Sequence, residues 1–180
     1  MYSLKVDKNL ELALTLPTYA EAIYEIVNRN RDEFKKWFPW VEQNLNSDDT
    51  KEFLQECLQG LAKGKLLHNT IIYKGKIVGI VDARLKPEHK KGDVGYWLDK
   101  EYWGKGIMSK SVKAFINFCF REYNLEKLTI HCDIDNCSSC NVAKRAGMKQ
   151  EALLRKHFRV NGEQRDFYRY CICKDEIETK

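Results

Sequence analysis

The sequence predicts a mixed α/β fold, of the α+β kind, in a single domain that spans residues 1–180. Segments that alternate with the period of a strand are interleaved with segments of helical period, in the order β-α-α-β-β-β-α-β-α-β-β. The 180 residues, 43% of them hydrophobic, also suffice for one ordinary core. We therefore expect a mixed central sheet of about seven strands with helices on both faces.

The first part of the chain predicts a strand and a helix. Leucines alternate with more polar residues over 10–16, as in a half-buried strand, and Pro17 stops the strand. Thr18 is the expected N-cap of a helix that continues through a charged stretch and ends in the aromatic cluster at 37–40.

A second helix and a β-hairpin follow. The polar residues 47–49 are expected to cap the helix, and Gly60 and Gly64 are expected to close it. Residues 70–73 and 76–81 are strand-like and flank a Lys-Gly turn, which predicts a hairpin.

The centre of the chain predicts a strand, a turn and a strongly amphipathic helix. A polar loop at 86–92 precedes the short strand 93–98, in which Gly95 indicates a bulge or a close backbone approach. Gly104 and Gly106 then open a helix whose apolar residues share one face.

The last part predicts a strand, a short helix and a second hairpin. Residues 128–132 form the strand, and the short helix ends at Gly147. The turn at 160–163 joins the two final strands.

Charge and composition exclude several classes of function. The net charge of +5 is too small by itself to indicate a nucleic-acid-binding protein, and no binding motif accompanies it, but it suits an anionic cofactor. No apolar run approaches the roughly 18 residues of a membrane span, and the start of the chain lacks the layout of a signal peptide. We expect a soluble, cytoplasmic protein with no membrane partner.

The seven cysteines fit a reducing compartment, because their number is odd and their spacing is no disulfide framework. Most are expected to be small buried residues. Cys132, Cys137 and Cys140 could belong to a metal site, but no second Cys-x-x-Cys lies nearby, so no metal is expected.

The glycine pair between a strand and a helix is the most informative local feature. It exposes consecutive backbone N–H groups at the positive end of the helix dipole, where a phosphate binds well, and Lys105, Lys110 and Lys113 add positive charge. The alternative is a tight turn without a ligand. The pattern is neither a Walker loop nor a dinucleotide fingerprint.

Two longer motifs, the first of which contains this glycine pair, resemble those of a known family. Residues 95–109, Gly-Tyr-Trp-Leu-Asp-Lys-Glu-Tyr-Trp-Gly-Lys-Gly-Ile-Met-Ser, resemble the acetyl-CoA motif of the GNAT N-acetyltransferases. Residues 135–148 resemble its second hallmark, N-x-x-S-x-x-V-x-x-x-x-G-[FM]. The C-terminal segment 160–170 and the N-terminal helix with the cluster at 37–40 resemble the branch that acetylates the N-terminal serine or alanine of ribosomal proteins.

The resemblance implies a site for acetyl-CoA in a splayed part of the sheet, and no metal. Asn136 is expected to hydrogen-bond the pantetheine arm, although its residue type also suits a helix cap, as does that of Ser138. Trp103 and Met108 depart from the family signature Q/R-x-x-G-x-G/A at its first and last positions. The cofactor-binding residues expected from the resemblance are Tyr96, Trp97, Leu98, Trp103, Gly104, Lys105, Gly106, Ile107, Met108, Ser109 and Asn136.

Acetyl transfer needs an acid for the leaving thiolate and a base for the attacking amine. The resemblance assigns the acid to Ser139, whose alternative role is that of a cap or solvated helix residue. Asp93 is the candidate base, with a solvated aspartate as the alternative, and Glu33 or His131 could serve instead. His131 could also be an ordinary side chain of the sheet.

The resemblance also implies the acceptor, which is the N-terminal α-amine of a ribosomal or other protein. A small amine, such as a polyamine or an aminoglycoside, is the second interpretation, and a non-catalytic acetyl-CoA-binding module is the third. The acceptor site is expected between the first two helices and the loop 86–91, where Trp37 and Trp40 either line it or belong to the core. A homodimer is expected because similar proteins often pair.

Overall fold

The computed structural model describes residues 3–177. Its strands are β1 (Ser3–Lys5), β2 (Leu10–Leu14), β3 (Leu66–Tyr73), β4 (Lys76–Lys86), β5 (Lys91–Leu98), β6 (Lys127–Asp133), β7 (Lys149–Val160) and β8 (Glu163–Cys173). Its α-helices are α1 (Ala20–Arg29), α2 (Arg31–Phe34), α3 (Ser47–Ala62), α4 (Ile107–Glu122) and α5 (Cys137–Arg145).

All eight strands belong to one sheet, in the order β1-β2-β3-β4-β5-β6-β8-β7. Every neighbouring pair is antiparallel except β5 and β6, which run parallel. This parallel pairing extends only from Lys91↔Lys127 to Asp93↔Thr129. Beyond that point the facing backbone edges of β5 and β6 are no longer paired with each other, so the sheet opens into a gap between residues 94–98 and the end of β6.

Helices cover both faces of the sheet. On one face, Val112 and Phe115 of α4 and Ala143 of α5 are buried in the main core with residues of the strands. On the other face, α1 and α3 pack on β4 through a smaller cluster of Ala20, Ile23, Leu54 and Ile80. The gap between β5 and β6 is therefore reached from two layers of helices.

The predicted fold class is confirmed. The mixed sheet, the helices on both faces, the two hairpins and the long amphipathic helix all form as expected. The sheet has one strand more than predicted, because the short edge strand β1 pairs with β2. A three-residue strand carries too little alternation to be seen in the sequence.

The start and end of the first helix differ from the prediction. Thr18 lies in a 3-10 turn, Pro17–Tyr19, and Tyr19 precedes α1 without a side-chain cap. The helix also ends at Arg29 instead of continuing to the aromatic cluster. Asn30 interrupts it, since its side-chain amide donates to the Ile26 carbonyl at 2.8 Å and to Asp99 at 2.9 Å.

The start of α3 is capped one residue earlier than predicted. Asn46 accepts hydrogen bonds from the backbone of Asp48 and Asp49, and the Asp49 carboxylate accepts from the Asn46 backbone, which makes a capping box. Gly60 does not close the helix but lies inside it, where a Cβ would come 2.8 Å from the Cβ of Leu66. It lets α3 approach β3 closely.

Candidate active site

The gap beyond the parallel pair β5/β6 brings together two of the predicted residues. The Tyr96 hydroxyl lies 3.0 Å from the Ser139 Oγ and donates to the Ser139 carbonyl at 3.0 Å. The Cys132 Sγ lies 3.2 Å from the same Oγ. Burial, above all, raises the pKa of the Tyr96 hydroxyl well above its ordinary value, so Tyr96 remains a protonated donor. The gap thus contains two adjacent hydroxyl groups.

Two cavities meet at this gap. The larger, of about 530 Å³, lies under α1 and α3, and the smaller, of about 110 Å³, lies between β5 and the start of α5. Both are lined by Phe38, Val94, Gly95, Tyr96 and His131. A molecule in the larger cavity and one in the gap would therefore come into contact beside Gly95 and Tyr96.

The start of α4 is built to hold an anion. Gly104 and Gly106 both adopt a left-handed φ of +72°, and a Cβ at either position would meet no atom within 4 Å. Within residues 3–177, no backbone N–H from Gly104 to Ser109 donates to a carbonyl outside α4. A row of unpaired N–H groups at the positive end of a 16-residue helix is a good seat for a phosphate or pyrophosphate.

The two residues that depart from the family signature do not obstruct this seat. The Trp103 indole N–H donates to the Leu98 carbonyl at 2.7 Å, which holds the turn against the end of β5. The Met108 side chain is 7% exposed and belongs to the main core, so only its backbone faces the open end of the helix.

Asp99 ties the turn before α4 to α1. Its buried carboxylate accepts from Arg29 at 2.5 Å and from Asn30 at 2.9 Å. Burial would raise the pKa of the Asp99 carboxyl, but the hydrogen bonds from Arg29 and Asn30 outweigh it and hold that pKa below its ordinary value. Asp99 is therefore a structural anion between the two layers.

Comparisons with known proteins agree with this architecture. The model of the Acetyltransferase (GNAT) domain family matches residues 10–149. The chain belongs to the GNAT acetyltransferase family. The ribosomal-protein-serine acetyltransferase of Escherichia coli K12 is 26% identical over 86% of this chain and 87% of its own length.

Two solved structures have the same GNAT fold. The microcin C7 self-immunity acetyltransferase MccE, in complex with acetyl-CoA and AMP, is 29% identical with a TM-score of 0.91, over 94% of this chain and 95% of its own. RimL, a ribosomal L7/L12 α-N-protein acetyltransferase in complex with coenzyme A, has a TM-score of 0.94 over 98% of this chain and 100% of its own. At 24% identity, the second likeness concerns the fold alone.

The expected GNAT cofactor residues fall into two groups in space. Residues 103–109 form the turn and first helical turn at the start of α4, whereas residues 96–98 form the open edge of β5. Trp97 projects to the opposite face from Tyr96, where its ring lies 5.5 Å from that of Phe34. Lys105 and Lys110 fold back onto the Glu101 carbonyl and Asp7, respectively.

Asn136 caps α5. Its side-chain oxygen accepts from the Ser139 backbone N–H at 3.0 Å, so Asn136 and neither Ser138 nor Ser139 is the cap. The Asn136 amide nitrogen has no protein partner within residues 3–177. The cap and the expected contact with pantetheine are therefore compatible.

The candidate bases differ in their surroundings. Burial would raise the pKa of Asp93, but the hydrogen bond from Thr129 and the charge of Lys86, 3.3 Å away, hold it below its ordinary value. The Lys36 ammonium holds the Glu33 carboxylate at 3.0 Å, and Glu33 lines neither cavity. Burial lowers the pKa of His131, which lies in both cavities.

The larger cavity also contains polar residues that the sequence interpretation missed. His68, Asp82 and Arg84 line it from β3 and β4. Asp82 and Arg84 are two residues apart in β4, and that spacing is the signal that could have placed them on one face.

Trp40 lines the larger cavity and Trp37 the smaller one, so both belong to cavity walls. Residues 86–91, predicted to contribute to the acceptor site, line neither cavity, whereas Gln43, Asn44 and residues of α3 line the larger one.

Three further properties concern metal ligands, membrane-spanning helices and cysteine burial. Within residues 3–177, no group of three or more histidine, cysteine and carboxylate side chains is arranged to hold a metal ion. None of the helices in that range has both the length and the apolar character needed to cross a membrane. Cys57, Cys119, Cys132 and Cys140 are buried, as expected for most of the cysteines, while Cys137 is exposed.

Proposed function

We propose that this GNAT protein transfers the acetyl group of acetyl-CoA to a primary amine, namely the N-terminal α-amine of a ribosomal or other protein. The carrying observation is that an anion seat at the start of α4 and the hydroxyl pair Tyr96–Ser139 border the same open edge of β5. The named activity of the E. coli relative, a ribosomal-protein-serine acetyltransferase, supports the choice of acceptor.

The pyrophosphate of acetyl-CoA would bind the free N–H groups of residues 104–109, and its pantetheine arm the open edge of β5 and the Asn136 amide. These residues suit it because the seat offers donors without a protein partner and no side chain fills it. Such binding leads the thioester toward Tyr96 and Ser139.

Ser139 would protonate the leaving thiolate, with Tyr96 as its hydrogen-bond partner. The Tyr96 hydroxyl keeps its proton and has the Ser139 carbonyl as a second acceptor, so the pair stays ordered when Ser139 gives up its proton. The amine would approach from the larger cavity, whose carboxylates include Asp93, the base predicted from the sequence.

The proposal includes a cytoplasmic location, which the seven free cysteines and the ribosomal acceptor of the E. coli relative support. The homodimer stays a prediction from the family resemblance.

The test is a thiol-release assay with acetyl-CoA and short peptides that begin with Ser, Ala or Met, beside spermidine and an aminoglycoside. Mass spectrometry then locates the acetyl group. We expect transfer to the peptide α-amine and none to the same peptides with a blocked N-terminus. Turnover on spermidine or the aminoglycoside alone would replace the proposed acceptor with a small amine. Acetyl-CoA binding without any turnover would indicate a non-catalytic module.

A further inference from the structure

Two polar residues on adjacent strands, His68 and Asp82, line the larger cavity on the sheet side, and we call this pair the polar row. Asp82 in β4 lies directly opposite His68 in β3 and Gly95 in β5. Residues that are directly opposite in antiparallel strands project to the same face. Ile80, two residues before Asp82, packs against α1 and α3, so this is the face of the cavity.

The missing side chain at Gly95 lets the Asp82 carboxylate lean over β5. A Cβ at Gly95 would lie 3.0 Å from the Asp82 Oδ2 and 3.2 Å from its Oδ1. The β4/β5 register is regular there, so the glycine serves a close approach and not a bulge. Both oxygens therefore lie over Gly95, which lines both cavities.

The Asp82 carboxylate has no donor of its own. Within residues 3–177, no side chain or backbone N–H donates a hydrogen bond to it. The neighbouring His68 is 7% exposed, and its Nδ1 is buried without a partner. Since buried polar groups are nearly always hydrogen-bonded, the unpartnered His68 Nδ1 beside the half-buried Asp82 carboxylate points to a ligand in the cavity.

We propose that Asp82 is a further catalytic residue, which binds the ammonium group of the acceptor and takes a proton from it, and this rests on the proposed acetyl transfer. The ammonium proton moves to the carboxylate and then to solvent. The nitrogen lone pair forms the C–N bond with the thioester carbonyl carbon, and the C–S bond breaks. The nitrogen loses a second proton to solvent as the amide forms. The thiolate gains a proton from Ser139, and solvent returns one proton to Ser139, so the net release is one proton.

The surroundings suit Asp82 to this exchange. Burial raises its pKa to about 6, against the opposing influence of Arg84. An α-ammonium group has a pKa of about 8, so a carboxylate near 6 accepts its proton more readily than an ordinary aspartate does. The other titratable or charged groups near Asp82 are Arg84 of β4, His68 of β3, Asp93 of β5, His131 of β6, and Asp49 and Cys57 of α3.

The first arm of the test compares Asp82→Asn with wild type, in kcat/KM for the acceptor from pH 5 to 9. We expect a loss of about 10²- to 10⁴-fold at neutral pH, the range for a general base, with unchanged acetyl-CoA affinity. The wild-type rate should rise with an apparent pKa near 6. The variant should lose this rise near pH 6, which is the acid limb of the profile. Its rate should depend on acceptor amine that is already neutral, so it should keep rising beyond about pH 8.

Asp32→Asn is the matched control, because its side chain is 95% exposed and lies outside both cavities. Asp93→Asn is measured beside it. If Asp82→Asn keeps the acid limb and stays within threefold of wild type, the proposal is overturned. Loss of the limb in Asp93→Asn would then move the role to Asp93.

The second arm needs no turnover and so separates this proposal from the proposed function. Calorimetry in the presence of CoA compares a peptide with a free N-terminus to its N-acetylated form at pH 7. We expect wild type to prefer the free amine and Asp82→Asn to lose the preference. Equal binding by wild type would overturn the role of Asp82. If wild type acetylates only spermidine, the proposed acceptor fails, and the pH comparison is made with spermidine.

Discussion

Tyr96 and Ser139 present two hydroxyls 3.0 Å apart, and their hydrogen bonds indicate that they act together. When Ser139 protonates the thiolate, the Tyr96 hydroxyl, which keeps its own proton, can donate a hydrogen bond to the Ser139 oxygen. Groups that act as one unit lose their function together, so removing either should cost nearly as much as removing both.

We predict that Ser139→Ala, Tyr96→Phe and the double variant each lower kcat by about 10²-fold, while the dissociation constant of acetyl-CoA stays within about threefold. Steady-state kinetics and calorimetry measure the two quantities. The matched control is Ser138→Ala, the same change one residue earlier at an exposed position, which should retain wild-type kcat. Independent hydroxyls would instead give losses that multiply in the double variant.

At the scale of single residues, the sequence predicts those candidate site residues that lie in contiguous motifs. Ser139 and Asn136 follow from one such motif, and their capping geometry is local. The contact of Ser139 with Tyr96 joins positions 43 apart. The spacing of Asp82 and Arg84 places those two on one face of β4, but nothing local pairs Asp82 with His68, because their adjacency depends on the register between β3 and β4.

Among the elements, α4 has the most direct consequence for binding. Its start combines unpaired N–H groups with a glycine at a left-handed φ, and Gly106 immediately precedes its first residue. Asp and Asn both tolerate that backbone better than other residues do, so the pair differs mainly in charge.

We predict that Gly106→Asp weakens acetyl-CoA binding about tenfold more than Gly106→Asn does, because a carboxylate beside the pyrophosphate adds repulsion of about 1.4 kcal/mol. Isothermal calorimetry measures both affinities, and the difference between the acetyl-CoA affinities of the two variants should decrease with added salt. Gly162→Asp is the control for backbone strain, since Gly162 also has a left-handed φ, of +83°, and open space around it. Equal acetyl-CoA affinities of the two Gly106 variants would contradict binding of the pyrophosphate at the start of α4.

Elements whose causes are local were predicted well. The hairpins and α4 follow from turn residues and hydrophobic period over short segments. The break at Asn30 was not predicted, because its amide is drawn to Asp99, 69 positions away. The cap at Asn46 was missed because Ser47 and Asp48 are equally suitable cap residues by type.

At the scale of the whole molecule, the sheet places His68 and Asp82 side by side, and folding shifts their pKa values in opposite directions. Burial lowers the pKa of His68 from 6.5 to about 4 in the folded protein, and it raises the pKa of Asp82 from 3.8 to about 6. Between those limits the unfolded chain binds more protons at His68, so that group makes stability rise with pH. The folded chain binds more at Asp82, so that group makes stability fall with pH. The two contributions oppose each other from about pH 4 to about pH 6.

We predict that single substitutions expose these contributions with opposite signs. The melting temperature of Asp82→Asn minus that of wild type should increase from pH 4 to pH 6, and the same difference for His68→Gln should decrease. Each unopposed group changes stability by at most about 1.4 kcal/mol per pH unit, so each difference should move by several degrees. Calorimetric scans of the three proteins at matched ionic strength measure it, and subtracting wild type removes the other carboxylates. A cavity that binds an amine must keep its carboxylate available and its imidazole neutral near pH 7. If the melting-temperature differences do not change with pH, both side chains are solvated. Such a result would then count against the buried polar row itself, whatever the enzyme's turnover.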